Sequence, residues 1–178
     1  MSEFDDEAGG LNDKEFEENL KHFEEMLATG QAHFFDTDDL EEIIDYYLQW
    51  VNYEMAKKAI DYGLERFPFS TIIKIRYAQY LSSQHYTHEA LGILNEVEQI
   101  ERNNFELYMA RGYIYSQMGL GEQAIENFKA AIPLAEQKDE VYVALGVEFL
   151  NDDKPDDAIY YLKKAIKLNP KNEVALHE

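Results

Sequence analysis

The sequence predicts an all-α fold built from four stacked helix–turn–helix units. The first observation is a repeat: Ala56, Ala90, Ala124 and Ala158 stand 34 residues apart. The second is that an apolar residue follows each alanine by four positions, and a small or apolar residue follows three positions later. Spacings of four and three keep all three side chains on one face of a helix. This face must be buried, and the small residue allows a neighbouring helix to approach closely.

A second amphipathic stripe precedes each of these alanines. In the last unit it consists of Tyr142, Leu145, Gly146 and Phe149, spaced by three, one and three positions. The other three units carry stripes with the same spacing, so each unit contains two helices. The predicted pairs are 38–50 with 53–66, 71–83 with 87–101, 105–117 with 121–134, and 139–151 with 155–168. We expect Pro133 to bend the last turn of its helix, because proline has no amide proton to donate.

The last unit resembles the tetratricopeptide repeat, whose pattern is an aromatic residue, Leu-Gly, Tyr, Ala, Phe, Ala and Pro over 34 positions. The matching residues are Tyr142, Leu145-Gly146, Phe149, Ala158, Leu162, Ala165 and Pro170. The third unit departs from the pattern with Arg111 in place of the leucine, and the second with Lys74 in place of the first aromatic residue. The resemblance covers residues 37–170 as four repeats, 37–70, 71–104, 105–138 and 139–170. It implies a right-handed α-solenoid.

The resemblance also implies where a partner binds. In this family the first helix of each repeat lines a concave groove through its second, fifth, ninth and twelfth positions. Eleven of these positions form the predicted partner-binding groove: Glu41, Asp45, Ile72, Ile75, Gln79, Glu106, Met109, Tyr113, Glu140, Val143 and Val147. The other five are Asp38, Leu48, Ser82, Ser116 and Leu150.

The predicted groove is apolar along its middle and acidic at one end. Exposed apolar strips usually mark binding sites, so we expect a peptide or an amphipathic helix of a partner to lie there. The acidic end favours a basic partner. Since Glu41 and Asp45 stand where relatives that bind a carboxylate carry Lys and Asn, that binding mode is disfavoured. The alternative for each position is packing against the next repeat. Placing Ile75 and Tyr113 in the groove predicts that Glu at both abolishes binding and leaves the fold intact.

Charge and composition restrict the possible partners. The chain of 178 residues has a net charge of −20. Residues 1–45 hold 16 acidic and two basic residues and contribute −14, which leaves −6 for the rest. Nucleic acids and anionic membranes require a basic surface, so neither is an expected partner. The absence of Cys fits a reducing compartment, and the acidic start is unlike a secretion signal. We therefore expect a cytoplasmic protein.

Two segments flank the predicted repeats. Residues 1–12 are expected to form an acidic disordered tail, and residues 13–36 a helix and a connector. The helix, at 13–28, carries Phe16, Leu20, Phe23 and Leu27 on one face and is expected to cap the first repeat. The acidic segment either keeps the protein soluble, masks the groove or imitates a nucleic acid. Residues 171–178 resemble the start of a fifth repeat or a C-terminal helix, which favours a fragment of a longer protein over an end covered by another subunit.

Other residue clusters predict no chemistry. His85, His88 and Glu89 lie in a turn and are expected to be solvated rather than to bind a metal ion. The acidic turn at 152–157 lacks a glycine-bearing calcium loop. Trp50 is expected to be packed. With no convergent acid, base or nucleophile, the sequence predicts no enzyme and no cofactor.

The function predicted from the sequence is a non-catalytic scaffold for protein–protein interaction. Two alternatives stay open: a structural subunit that self-associates into a homo-oligomer, and an accessory domain of a larger protein whose activity lies outside this chain.

Overall fold

The computed structural model describes the backbone of residues 3–170 and the side chains of residues 14–170. All regular structure in this part is helical, which confirms the all-α helical-repeat fold. The helices are α1 (Glu3–Thr29), α2 (Thr37–Gln49), α3 (Tyr53–Arg66), α4 (Thr71–Ser83), α5 (Thr87–Ile100), α6 (Phe105–Gln117), α7 (Gly121–Ala131), α8 (Asp139–Asn151) and α9 (Pro155–Leu168). The predicted start of a fifth repeat at 171–178 lies outside the described residues.

Side chains of Asp and Asn fix where several helices begin. The Asp36 carboxylate accepts hydrogen bonds from the backbone amides of Asp38 and Asp39, and the Asp39 carboxylate accepts one from the Asp36 amide. Asn104 caps α6 by accepting a hydrogen bond of 2.9 Å from the Leu107 amide. Such caps satisfy amides that have no partner within the helix. The capped starts agree with the predicted helices to within one residue.

Helix α7 is three residues shorter than predicted. It ends at Ala131, and the amides of Leu134 and Ala135 both donate to the Ala131 carbonyl in the turn that follows. Pro133 cannot donate a hydrogen bond, so the helical bond from position 133 to the Lys129 carbonyl is missing. Proline therefore ends this helix instead of bending it.

The chain divides into two compact units, Met1–Tyr80 (unit 1) and Leu81–Glu178 (unit 2). In unit 1 a core of fully buried side chains joins α2 and α3 to α1 and to the start of α4. Its largest members are Phe23, Phe35, Leu40, Ile43, Ile44, Ile60 and Ile73. Since Phe23 of α1 contacts the rings of Phe35, Tyr47 and Tyr62, α1 covers the first repeat as the sequence predicted.

Helix α1 begins at Glu3, which corrects the prediction of a disordered tail for residues 3–12. Four acidic residues lie in its first five positions, where the positive end of the helix dipole favours negative charge. The prediction of disorder relied on the acidic composition and on Gly9-Gly10, and these two glycines lower helix propensity without forbidding a helix.

In unit 2 the repeat positions pack two helix pairs, α6 with α7 and α8 with α9. Ala124 and Ala158 are fully buried, as are Ala56 and Ala90 at the same repeat position elsewhere in the chain. Across from Ala124, a Cβ built on Gly112 would stand only 2.4 Å from the Phe128 ring. The small residues thus let the helices approach closely, which confirms the packing face predicted from the 34-residue spacing.

A buried arginine explains the departure of the third repeat from the family pattern. Arg111 stands where the pattern has leucine and is 8% exposed. Its guanidinium donates to the Leu94 carbonyl at 3.2 Å, to the Asn95 side chain at 3.2 Å and to the Glu98 carboxylate at 3.0 Å. The arginine therefore ties α6 to α5 by polar contacts where leucine would pack.

Trp50 lies at the C-terminal end of α2 and is 69% exposed. The prediction that it is packed was wrong: most of the side chain is exposed, although the Tyr46 ring lies 6.3 Å away between centroids. Among the described residues, no helix is both long enough and apolar enough to cross a membrane.

Candidate functional site

Two of the predicted groove residues belong to the core. Ile75 is completely buried and Met109 is 3% exposed. Met109 packs among Phe128, Val141 and Ala144, on the side of α6 that faces its neighbours. Their assignment to a partner-binding surface was therefore wrong, and the alternative of packing is correct for both.

The acidic end of the predicted groove lies in unit 1, where an arginine side chain pairs with its carboxylates. The Arg76 guanidinium pairs with the carboxylates of Glu41 and Asp45, the latter at 2.7 Å from Nε. Ile72 is half-buried against the unit 1 core, and Gln79 is half-buried as well. Since Arg76 neutralises charge here, these two carboxylates attract a basic partner less than the sequence suggested.

Unit 2 contains a pocket of about 380 Å³ lined by α6, α7 and α8. Four residues of the predicted partner-binding groove line it: Tyr113, Glu140, Val143 and Val147. Ser116, at the twelfth position of the third repeat, lines it as well. The remaining lining residues are Phe128, Ala144 and Glu148. Glu106, which is half-buried, adds its negative charge to this region. The groove predicted for the third and fourth repeats is thus largely brought together in one place.

Helical spacing explains why these residues meet. Glu140, Val143, Ala144, Val147 and Glu148 are separated by three, one, three and one positions and share one face of α8. Tyr113 and Ser116, three positions apart, give the corresponding face of α6. Phe128 reaches the pocket from α7.

Tyr113 is the large aromatic side chain that the pocket leaves open to solvent. It is 47% exposed, and its ring meets that of Phe128 edge-on, with 5.2 Å between centroids. Phe128 itself is 1% exposed, so the tyrosine ring packs on a buried side chain. An exposed aromatic ring on a rigid base can pack against a ligand with little loss of conformational entropy.

Sequence reasoning missed Glu148 and Phe128. Glu148 occupies the tenth position of its repeat, which is not a groove position of the family, and Phe128 was assigned to the packing face only. A signal for Glu148 was present, because it is an acidic residue within the apolar stretch Val141–Leu150 of α8. Acidic residues are seldom buried without a partner or a function.

Negative charge accumulates at the pocket. Burial, followed by the charges of Glu106 and Asp139, raises the pKa of the Glu140 carboxyl. Burial, with a further contribution from Glu140 and Glu106, raises the pKa of Tyr113 to about 12. Both shifts have the sign expected for groups that resist further negative charge.

Replacing Glu140 with Gln tests this charge. A carboxyl whose pKa is raised by folding stabilises the protein below its unfolded pKa, and this contribution is lost as the pH rises through the folded value. At pH 7 Glu140→Gln should therefore be more stable than the wild type in denaturant unfolding. The gain in the free energy of unfolding should be less than about 1 kcal/mol, because the site is partly solvated.

The difference should vanish below about pH 4, where the carboxyl is protonated in both states, and shrink in high salt. Glu126→Gln, an exposed site on α7 outside the pocket, serves as the control. A Glu140→Gln variant less stable than the wild type at pH 7 would contradict the repulsion.

Comparison with known proteins identifies the family. A sequence profile of the tetratricopeptide repeat matches residues 105–138 and 139–172. Residues 105–172 are two tetratricopeptide repeats. The first matched range equals the third predicted repeat, and the second begins where the fourth predicted repeat begins. The pocket therefore lies within the two tetratricopeptide repeats that the profile recognises.

Solved tetratricopeptide repeat structures share the fold. A thermophilic protein from Thermus thermophilus has a TM-score of 0.75 at 20% identity, over 96% of this chain and 92% of its own. YrrB has a TM-score of 0.62 at 18% identity, over 93% of this chain and 84% of its own. MamA has a TM-score of 0.64 at 16% identity, over 97% and 98%. Comparison with curated protein sequences finds no match.

Tetratricopeptide repeat proteins are generally non-catalytic scaffolds, and their fold commonly mediates protein–protein interaction. The described residues contain no group of three or more His, Cys, Asp or Glu side chains placed to hold a metal ion.

Proposed function

We propose that this protein is a non-catalytic scaffold that holds a peptide or a helix of a partner protein in the unit 2 pocket. The observation that carries the proposal is the meeting of Tyr113, Val143 and Val147 in one open, largely apolar pocket. Tyr113 is exposed and the two valines are half-buried, so all three keep accessible apolar or aromatic surface. Accessible apolar surface of this kind is typical of binding sites.

The size and shape of the pocket suit a side chain of a protein ligand. A volume of about 380 Å³ lies at the lower end of the range for ligand pockets. One or two anchoring side chains fill such a space and contribute most of the binding energy of an interface. Since α6 and α8 supply most of the lining, an extended peptide or an amphipathic helix could lie along them with its anchors in the pocket.

A related structure supports this mode of binding. YrrB, at 18% identity, is described as a tetratricopeptide repeat protein with an unusual peptide-binding site. The likeness extends to the fold, and the peptide-binding role is proposed here for this chain on the geometry of its own pocket.

A variant that fills the pocket tests the proposal. Val143→Trp should occupy the pocket without changing its charge, and Gln123→Trp places the same ring on an exposed site of α7 outside it. Each tagged variant is used to capture proteins from a lysate of the native host, with quantitative mass spectrometry of what is retained. A partner that is lost with Val143→Trp and kept with Gln123→Trp would support the pocket.

Circular dichroism and thermal melting show whether both variants keep the fold. Equal retention by Val143→Trp, Gln123→Trp and the wild type would contradict the proposal. Capture of a second copy of this chain that Val143→Trp abolishes would assign the pocket to self-association.

A further inference from the structure

Glu148 is a buried carboxylate that faces the pocket. It is 5% exposed and is one of the pocket-lining residues. Among the hydrogen bonds and ion pairs described for residues 14–170, none involves its carboxylate. A cation that reached this carboxylate through the pocket would form a charge-assisted hydrogen bond with it.

The Glu148 carboxylate lies beside the start of α7. A Cβ built on Gly121, the first residue of that helix, would stand 3.1 Å from Glu148 Oε1. The N-terminus of a helix favours negative charge, which helps α7 to hold the carboxylate in place. Because no amide of α7 donates to it, both oxygens keep their capacity to accept hydrogen bonds from a ligand.

Three basic residues of unit 2 have other partners. Arg111 is occupied by Glu98 at 3.0 Å. Lys154 pairs with Asp152 at 2.5 Å. Lys129 stands over the Phe149 ring, at 5.7 Å from its centroid. The cation that would match the Glu148 carboxylate is therefore not supplied by these side chains.

The rest of the pocket fits a long side chain that ends in a positive charge. Val143, Ala144 and Val147 provide an apolar wall for a methylene stem. Such stems pack on apolar surface while the charged end reaches a polar group. The half-exposed Tyr113 ring can attract a cation through its face. Glu140, with Glu106 nearby, adds negative charge that would draw a cation in.

We propose that the unit 2 pocket receives a lysine or arginine side chain of the partner segment, with Glu148 as the buried counter-ion and Tyr113 and the valines enclosing the stem. This inference rests on the proposed function and specifies the chemistry of its ligand. A divalent cation is disfavoured, because it needs more oxygen ligands than Glu148 and Glu140 place together. A basic residue also explains why the pocket combines an apolar wall with a carboxylate.

The test compares two ligands that share a stem and differ in charge. The N-acetyl methylamides of lysine and norleucine are titrated into the full chain, labelled at its valine methyl groups, and the resonances of Val143 and Val147 are followed. The lysine derivative should bind about tenfold more tightly than the norleucine derivative, since a charge-assisted hydrogen bond in a desolvated site has this effect. The difference should shrink in high salt.

A charge-removing variant assigns the effect to one residue. Glu148→Gln keeps the shape of the side chain and should weaken lysine binding about tenfold while leaving norleucine binding unchanged. Glu126→Gln makes the same change in net charge at an exposed site outside the pocket and should affect neither ligand.

Each outcome has a distinct meaning. Equal binding of the two ligands to the wild type would overturn the preference for a cation and leave the apolar pocket of the proposed function standing. A lysine preference that survives in Glu148→Gln would overturn the role of Glu148. Failure of both ligands to shift the two valines would count against the pocket itself and therefore against the proposed function as well. If Glu148→Gln loses its fold, the comparison of the two ligands on the wild type still decides the preference.

Discussion

Phe128→Ala is expected to lower the free energy of unfolding by about 3–5 kcal/mol, the usual loss when a buried Phe is truncated. The side chain is 1% exposed, contacts the core of unit 2 and forms the base on which the Tyr113 ring rests. Equilibrium denaturation in urea measures the loss. The variant should also weaken partner binding, because Tyr113 loses its support.

Combining Gly112→Ala with Phe128→Ala tests the contact between α6 and α7 directly. A Cβ at position 112 would stand 2.4 Å from the Phe128 ring, so Gly112→Ala should cost about 1–3 kcal/mol by overpacking. In the Phe128→Ala background the obstacle is gone, and the higher helix propensity of Ala should make the same change stabilising by up to about 1 kcal/mol. Additive effects of the two substitutions would contradict the close contact between α6 and α7.

Ile75→Glu is expected to destabilise the protein by about 3–5 kcal/mol, the cost of leaving a charge buried without a partner. Ile75 has no exposed surface. Thermal melting and urea denaturation should both show the loss. This expectation replaces the one drawn from the sequence, in which Ile75 lined the groove and could be changed without harm to the fold.

Phe69→Glu provides the matched control for Ile75→Glu. Phe69 precedes α4 and is 80% exposed, so the same kind of change there should alter the free energy of unfolding by less than about 0.5 kcal/mol. An Ile75→Glu variant as stable as Phe69→Glu would contradict the core position of Ile75.

The helices and their buried faces could be predicted from the sequence because they depend on local spacing. Ala56, Ala90, Ala124 and Ala158 recur in register, and each is buried against a partner helix. The end of α7 was misjudged by three residues, since a proline near a helix terminus can bend or end it, and the choice depends on the turn that follows. The exposure of Trp50 could not be predicted from helix periodicity, because the surroundings of a residue at a helix end depend on the tertiary structure.

The candidate site was only partly predictable. Family positions gave Tyr113, Val143 and Val147, which the structure brings together in the unit 2 pocket because the first helices of neighbouring repeats present the same face. They failed for Ile75 and Met109, because the neighbours that cover a position come from other helices. Glu148 was missed for a related reason: the α7 residue beside its carboxylate, Gly121, lies 27 positions away in sequence. Sequence spacing fixes the face of a helix, and tertiary packing decides how much of that face stays open.

The affinity of a purified partner segment for three forms of the chain tests the central claim most directly. Isothermal titration gives the dissociation constant for the wild type, Val143→Trp and Gln123→Trp under one set of conditions. A binding site in the unit 2 pocket predicts that Gln123→Trp binds as the wild type does, and that Val143→Trp binds at least about tenfold more weakly, a difference of about 1.4 kcal/mol. Equal affinity of a folded Val143→Trp variant and the wild type would show that the partner binds elsewhere.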